Sequence, residues 1–381
     1  MFLIDRFFMT FWQRCQNMDK SQNLKRKTRK NLGSIIEKRK TVTLRDVAQN
    51  TNVSMSTVSR VIRNDQYIGE NTKLRVTKAI KDLNYKPNSI ARRLKYGRTY
   101  TIGFILPDIS NIYFSSAVRA ATNFIENSEY AQYELLFYNT DGEPEREKKA
   151  IDFFISRQME GIIIASTASA MVVEHIRQIL NNRQVVFVSI DNQLDDLNID
   201  LIAPDNFHGA YSLTKHLLGL DHRSIAVITG PLNESSSKER LDGYKTALDE
   251  RGISFNEEIC LAGDWTKESG IAIVKRLLKM NPRPTAIFGF NNSMSLGALM
   301  LLKEREIRVP EEMALVSFDD VEYGDLLNPA LTTTTTSWYE LGRVSAEVLL
   351  DRINNNPSRP KQLIRLPEEM IIRESCGYRI Q

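Results

Sequence analysis

Residues 41–64 read TVTLRDVAQNTNVSMSTVSRVIRN, two short amphipathic segments on either side of a turn. Thr43 is placed to cap a helix on which Leu44, Val47 and Ala48 share one face. Asn52 stands where a sharp turn needs a residue tolerant of positive φ, and Asn is among the few non-glycine types that tolerate it. Val53 then packs inward, Ser54 caps a second helix, and Val58, Val61 and Ile62 face a small core. Met55, Ser56, Thr57, Ser59 and Arg60 remain on the outer face. Short polar side chains with one Arg suit a DNA major groove, whose base edges offer hydrogen-bond partners and a thymine methyl. Thr43, Leu44, Ser54 and Asn64 are expected to contact DNA beside them. A third helix at about 72–83, with Leu74, Val76, Ile80 and Leu83 inward, closes the core. The pattern predicts a small all-α helix-turn-helix head.

Outward from this stretch the charge is uneven. The 381 residues carry 51 Lys/Arg and 47 Asp/Glu, a net +4. Residues 1–40 hold eleven basic residues against three acidic, residues 41–100 twelve against four, and residues 101–381 28 against 40. A basic front end therefore precedes an acidic body, and the front suits a polyanion while the body stays off it. With 42% hydrophobic and 26% charged residues, the chain is globular rather than disordered or collagen-like, and its length suits two or three packed units. Cys15, Cys260 and Cys376 are far apart, so neither a disulfide framework nor a thiolate zinc site is expected, and a reducing cytoplasm fits. The four histidines (His175, His208, His216 and His222) form no HExxH pattern; no metal or cofactor is expected. The chain also lacks GxSxG, GxxxxGK[ST] and GxGxxG, which counts against an enzyme.

Residues 1–18 (MFLIDRFFMTFWQRCQNM) are rich in aromatics, but Asp5 and Arg6 interrupt the apolar run after four residues. That fits neither a secretory signal nor a membrane span of roughly 20 apolar residues. An amphipathic anchor and sequence upstream of a start at Met18 are the two readings, of which the second is favoured; no membrane partner is expected. From Lys20 to Lys40 there are nine basic residues and one Glu, so residues 1–40 read as a basic, disordered extension able to touch phosphates non-specifically.

From Thr101 short apolar β-branched runs alternate with helical stretches. TIGFILPD is followed by a helix over 112–127, ELLFYN by one over 145–157, GIIIAS by one over 170–180, and then VVFVSID. The rhythm repeats through SIAVITG, TAIFGFNN and ALVSFDD. Continuous apolar strands between helices predict parallel sheets covered on both faces, hence a two-lobed α/β doubly wound core with ligands beyond the carboxyl ends of the strands. At those ends stand Tyr113 and Phe114, Asp191, Ser236 and Arg240, Trp265, Asn291 and Asp319. Carboxylates, amides and Arg take sugar hydroxyls, and flat aromatics cover a sugar's apolar faces. Asp320 is expected to brace rather than bind. A solute-binding protein would share this body but carry a signal peptide and no helix-turn-helix.

Between head and core lies NYKPNSIARRLKYGR (84–98), where Asn84 and Pro87 break the chain and Asn88 caps a short amphipathic stretch ending at Leu94 and Lys95. The run from Leu44 to Arg98, with LRDVAQ, VSMSTVSRVI and LNYKPNSIARRLK, resembles the head and hinge of the lactose-repressor (LacI/GalR) family. The resemblance extends through the core, which looks like that family's effector-binding domain, akin to type I periplasmic sugar-binding proteins. It implies a head over 41–86, a hinge over 87–99 and a core over 100–377. In the core, lobe one would hold 100–203 and 334–361, and lobe two 204–331 and 362–377, connected by three crossovers. It further implies that Leu94 wedges into the minor groove and kinks the duplex, with Asn88, Ala91 and Lys95 beside it. Two hinges, one per subunit of a homodimer, would read a palindromic double-stranded operator. Arg240, Asn291 and Asp319 match family effector contacts most strongly, and the helix over 340–353 would lie at the lobe-one surface. No leucine heptad follows RESCGYRIQ, so a dimer is expected rather than a tail-built tetramer.

Three positions depart from the family pattern. Asn52 replaces the usual Gly. Glu234 stands where purine-responsive relatives carry a basic residue, which points away from a purine and toward a neutral sugar or polyol. Asn292 replaces the usual Asp. The implied function is a repressor whose DNA affinity follows a small-molecule effector, a sugar or sugar derivative. Inducer and corepressor action are equally compatible with these residues.

Overall fold

The computed structural model describes residues 42–62, 67–85, 98–182 and 185–378, and the chain divides into two units between Gly97 and Arg98. The expected DNA contacts Asn64, Asn88, Ala91, Leu94 and Lys95 lie outside the described residues.

The first unit contains three helices, α1 (Leu44–Thr51), α2 (Met55–Ile62) and α3 (Glu70–Asp82). Thr43 begins α1 with a capping box: its hydroxyl receives the Asp46 N–H, and the Asp46 carboxylate accepts the Thr43 N–H at 2.7 Å, which satisfies two otherwise orphaned donors. Asn52 ends α1 with φ at 52°, the left-handed turn expected of it. Val47, Ala48, Val58, Val76, Ala79 and Tyr85 form the buried core. Leu74 departs from expectation and is 67% exposed. On α3 the inward face is set by Val76, Ala79, Ile80 and Leu83, and Leu74, two positions before Val76, lies about 200° round the helix from it.

The second unit holds two six-stranded sheets. The first contains β1 (Thr101–Leu106), β2 (Glu134–Asn139), β3 (Gly161–Ile164), β4 (Val186–Ile190), β5 (Asp200–Pro204) and β11 (Leu363–Leu366), ordered β11-β5-β4-β3-β1-β2 and parallel throughout. The second contains β6 (Ile225–Thr229), β7 (Cys260–Ala262), β8 (Ala286–Gly289), β9 (Ala314–Ser317), β10 (Thr332–Thr335) and β12 (Glu369–Ile371), ordered β12-β10-β9-β8-β6-β7. Only β12 in it runs antiparallel to its neighbour. Each sheet therefore reverses its strand order beside its first strand, and the crevice at such a reversal is where doubly wound folds take ligands.

Helices α4 (Ile112–Glu126), α5 (Pro144–Ser156), α6 (Ala170–Asn182) and α11 (Trp338–Asn354) cover the first sheet, and α7 (Asn206–Gly219), α8 (Ser235–Asp249), α9 (Lys267–Leu277) and α10 (Asn292–Glu304) belong to the second lobe. The chain crosses between lobes after β5, after β10 and after β11. Two crossings differ from the expected boundaries. Residues 363–366 pair with Leu201–Pro204 in the first sheet, and Ile364 and Leu366 pack on its core, so the last crossing falls after Leu366 rather than at 362. Thr334 and Thr335 belong to the second sheet, so lobe one resumes after them. The helix expected at the lobe-one surface buries one face, including Leu341, Gly342, Ser345, Ala346 and Leu349, and leaves Tyr339 and the Glu340–Arg343–Glu347 ion pairs on its outer face. At Gly342 a Cβ would lie 2.1 Å from the Ala117 carbonyl oxygen, so the glycine permits the close approach of α11 to α4.

The core begins in a knot of bonds. The Arg98 guanidinium donates to Glu160 at 2.9 and 2.6 Å and to Asn354 at 3.0 Å. The other Glu160 oxygen accepts the N–H groups of Thr99 and Tyr100, each at 2.8 Å.

Candidate functional site

In the head, Ser54 Oγ accepts the Thr57 N–H at 3.0 Å and caps α2. Val58 turns inward, while Met55, Ser56 and Arg60 are exposed and Thr57 and Ser59 half-buried. Thr43 is exposed and Leu44 half-buried at the start of α1. The structure thus gathers the predicted outer residues on one side of an eight-residue helix, three of them with short hydroxyl side chains and one an Arg.

In the core, a cavity of about 700 Å³ opens at the carboxyl ends of both sheets. All eight residues named from the sequence line it: Tyr113, Phe114, Asp191, Ser236, Arg240, Trp265, Asn291 and Asp319. Asp191, Trp265 and Asp319 have φ of 71°, 68° and 65°, each just past a strand. Non-glycine residues held in the left-handed region carry strain that surrounding structure must offset, and such strain clusters at binding sites.

Arg240 is 3% exposed. Its Nε donates to Asn206 at 2.8 Å, one terminal nitrogen donates to the Phe290 carbonyl, and its guanidinium lies 3.7 Å from the centroid of the Phe318 ring. Its Nη1 is 3.7 Å from Asp319 Oδ2, an ion pair rather than a hydrogen bond. Asp319 Oδ1 and Asp191 Oδ1 are buried without a hydrogen-bond partner, as is Ser236 Oγ. Burial raises the Asp319 carboxyl above its ordinary range, against the pull of Arg240. Burial, opposed by Arg240 and reinforced by Asp319, pushes Asp191 up to about 6. Both groups thus keep an unmet need for a donor.

The amide of Asn291 is already engaged: it caps α10 by accepting the Met294 N–H at 2.9 Å and donates to the Trp265 carbonyl at 3.0 Å. It reaches the cavity chiefly by holding the Trp265 loop. Tyr113 donates its hydroxyl to the Asp320 carbonyl across the lobes at 2.6 Å. The Asp320 carboxylate is bound by Arg373 at 2.8 and 3.0 Å, a bracing role as expected. Gly230 admits Trp265, since a Cβ there would lie 2.0 Å from the indole.

Of the lining residues not named as contacts from the sequence, three shape the site most. Trp338, at the start of α11, packs edge-on to Phe114 with centroids 5.1 Å apart, and its buried indole N–H acts on the Asp319 carboxyl without closing a well-formed hydrogen bond. Its signal was its place just after a crossover. Asn192 is fully enclosed between the lobes, donating to Glu234 at 3.0 Å and accepting the Ser236 N–H at 3.1 Å. Glu234, noted only as a departure, also accepts the Trp265 indole N–H at 3.0 Å, and burial pushes its carboxyl up to about 7. Among the described residues no cluster of ligating side chains could hold a metal ion, and no helix is long and apolar enough to cross a membrane.

Comparison with known proteins agrees with this geometry. Residues 43–88 match the profile of bacterial regulatory proteins of the lacI family, and residues 214–376 a periplasmic binding protein-like domain. The HTH-type transcriptional repressor PurR of Haemophilus influenzae (strain PittEE) is 32% identical over 336 residues, 87% of this chain and 98% of its own length. PurR of Actinobacillus pleuropneumoniae serotype 3 (strain JL03) is 33% identical over 338 residues, with the same coverage. Among solved structures, the lac repressor dimer bound to operator and the anti-inducer ONPF gives a TM-score of 0.75 at 27% identity, covering 88% of this chain and 99% of that one. The regulator CelR in complex with cellobiose gives 0.66 at 26% identity, covering 88% and 99%. Head, core and relatives agree: the chain belongs to the lacI family of bacterial regulatory proteins and is a DNA-binding transcriptional regulator.

Proposed function

We propose that the chain is a repressor that binds a palindromic operator as a homodimer, with its DNA affinity set by a sugar or polyol held between the lobes of the core. The observation that carries this reading is the cavity itself. It is built from strand ends of both lobes, it holds unpartnered buried acceptors on Asp191 and Asp319, and Tyr113 and Asn192 reach across it to the opposite lobe. A ligand touching both lobes favours one lobe arrangement over another by its differential affinity, and linkage carries that preference to the DNA. The likeness to a cellobiose complex supports a sugar, as does the presence of Glu234 in place of a basic residue.

In this reading Met55, Ser56, Thr57, Ser59 and Arg60 read bases, with Thr43, Leu44, Ser54 and Asn64 beside them. Leu94 wedges into the minor groove, flanked by Asn88, Ala91 and Lys95. The eight cavity residues hold the effector. The head spans 41–86, the hinge 87–99 and the core 100–377. The protein works in the cytoplasm, catalyses no reaction and needs no cofactor. A thermal-shift screen of sugars, sugar phosphates and nucleobases on the full chain, followed by operator titrations, tests it. Asp319→Ala is expected to bind operator but ignore the effector; a normal effector response in that variant removes Asp319 from the site.

A further inference from the structure

The deep wall of the cavity is short of positive charge. Asp191, Glu234 and Asp319 line it, and among the described lining residues Arg240 is the one Lys or Arg, with Arg365 acting on Asp191 from outside the lining. The Arg240 guanidinium is already committed to Asn206, to the Phe290 carbonyl and to the face of Phe318. It meets Asp319 only at 3.7 Å. Asp319 and Glu234 are 6% and 8% exposed, so water does little to screen them. Two carboxylate oxygens, Asp191 Oδ1 and Asp319 Oδ1, close no hydrogen bond, and neither does Ser236 Oγ; the Trp338 indole N–H acts on the Asp319 carboxyl and holds it down somewhat without closing a well-formed bond.

An ionised carboxylate only accepts hydrogen bonds. A neutral hydroxyl would satisfy the lone pairs yet leave the excess charge in place, and a phosphate or carboxylate on the ligand would add to it. An ammonium supplies both donors and charge. Resting on the effector reading above, we propose that the effector is an amine-bearing polyol, an amino sugar or aminocyclitol, whose ammonium is received by Asp191 and Asp319 and whose hydroxyls reach Ser236. The aromatic faces of Phe114, Trp265 and Trp338 are available to its apolar side. This replaces the neutral sugar expected from Glu234 alone with a cationic one.

The titration behaviour of the wall agrees. Burial already drives these carboxyls toward their neutral forms. The other titratable or charged groups facing them are Arg240, Glu239, Arg365, Glu368 and Tyr113. A bound ammonium favours the ionised forms, so binding releases protons and weakens as the pH falls through the range where Asp191 and Glu234 titrate.

The test is calorimetric titration of the full chain with a panel of amino sugars and aminocyclitols, their neutral parent polyols, their N-acetyl derivatives and their phosphate esters. At least one free amine is expected to bind at least tenfold more tightly than its parent at pH 7.5. N-acetylation should remove that advantage. Affinity should fall at least tenfold at pH 5.5, and the heat should differ between phosphate and Tris buffers in the sense of proton release. Asp191→Asn and Asp319→Asn should each erase the preference for amine over parent. Equal or tighter binding of a neutral parent, an N-acetyl derivative or a phosphate ester overturns the proposal while leaving the effector reading standing. Absence of binding by every class overturns both.

Discussion

Asn192, in the first lobe, caps a helix of the second: its Oδ1 accepts the N–H of Ser236 at 3.1 Å while its Nδ2 donates to Glu234 at 3.0 Å. Glu234 precedes α8 but offers that helix no side-chain cap of its own. The first turn of α8, which leads to Arg240, is therefore completed by a residue from across the cavity. Asn192→Ala removes the cap and one of the two donors to the Glu234 carboxylate, leaving it the Trp265 indole N–H. The expected loss is about 1–2 kcal/mol in urea unfolding of the core, with faster amide exchange confined to the start of α8. Unchanged exchange at Ser236 would mean that the contact carries no weight.

The core should lose stability as the pH rises through neutrality. Glu234 is pushed up to about 7 and Glu368 to about 9, both chiefly by burial. An acid whose folded pKa exceeds its unfolded value holds its proton longer in the folded state, so stability falls with rising pH between the two values. For Glu234 that window runs from the ordinary carboxyl range to about 7, and for Glu368 to about 9. Melting curves from pH 5 to 9 are expected to decline, and Glu234→Gln to flatten the part of the decline below about 7. A slope identical in the variant would remove Glu234 from the account.

The pair Asp200–Arg352 is the most deeply enclosed ion pair among the described residues. Two parallel bonds of 2.6 and 2.8 Å join them, and their side chains are 0% and 2% exposed. Arg352 also donates to the carbonyls of Arg359 and Pro360, which ties the end of α11 to the segment entering β11. Removing one partner leaves a buried charge, so Asp200→Ala should cost about 3–5 kcal/mol. Replacing both, with Asp200→Leu and Arg352→Met, should recover part of that loss in the same urea titration. A double variant as unstable as the single one would show that the Arg352 contacts to the carbonyls matter more than the charge pair.

Gly230 is the residue that lets Trp265 lie across the end of β6. Gly230→Ala places a methyl where the indole now sits, 2.0 Å away, and Trp265 must move out. Its bond to Glu234 then breaks, and its emission should shift to the red. With Trp338→Phe and Trp12→Phe to leave one tryptophan, the fluorescence reports that shift directly. An unmoved spectrum would show that the loop relaxes without releasing the ring.

Much of this arrangement was legible in the sequence because it rests on local chemistry. Thr43 three residues before Asp46 is a cap by spacing alone, and Asn52 announced its left-handed turn by residue type. The parallel sheets followed from apolar runs such as GIIIAS, which have no wet face. The cavity residues followed from topology, since a doubly wound sheet gathers whatever stands just past its strands. What escaped depends on partners distant in the chain. Asn192 is an ordinary loop asparagine until Ser236, 44 positions later, is folded against it. The polar run TTTTT at 332–336 has no hydrophobic alternation to say which sheet it joins, so the crossing after β10 was misplaced. Leu74 was assigned inward on composition, and only the phase of α3 turned it out.

The knot at Arg98 sits at one end of a strand whose other end reaches the cavity. Glu160, which grips the backbone of Thr99 and Tyr100, stands immediately before β3, and Ser166 and Thr167, at the other end of that strand, line the cavity. One extended segment of roughly 20 Å, held between neighbouring strands, connects the cavity wall to the place where the chain enters the core. A strand in such a position is bonded on both sides and does not stretch, so the Ser166 end and the Glu160 end of it are tied into one stiff element.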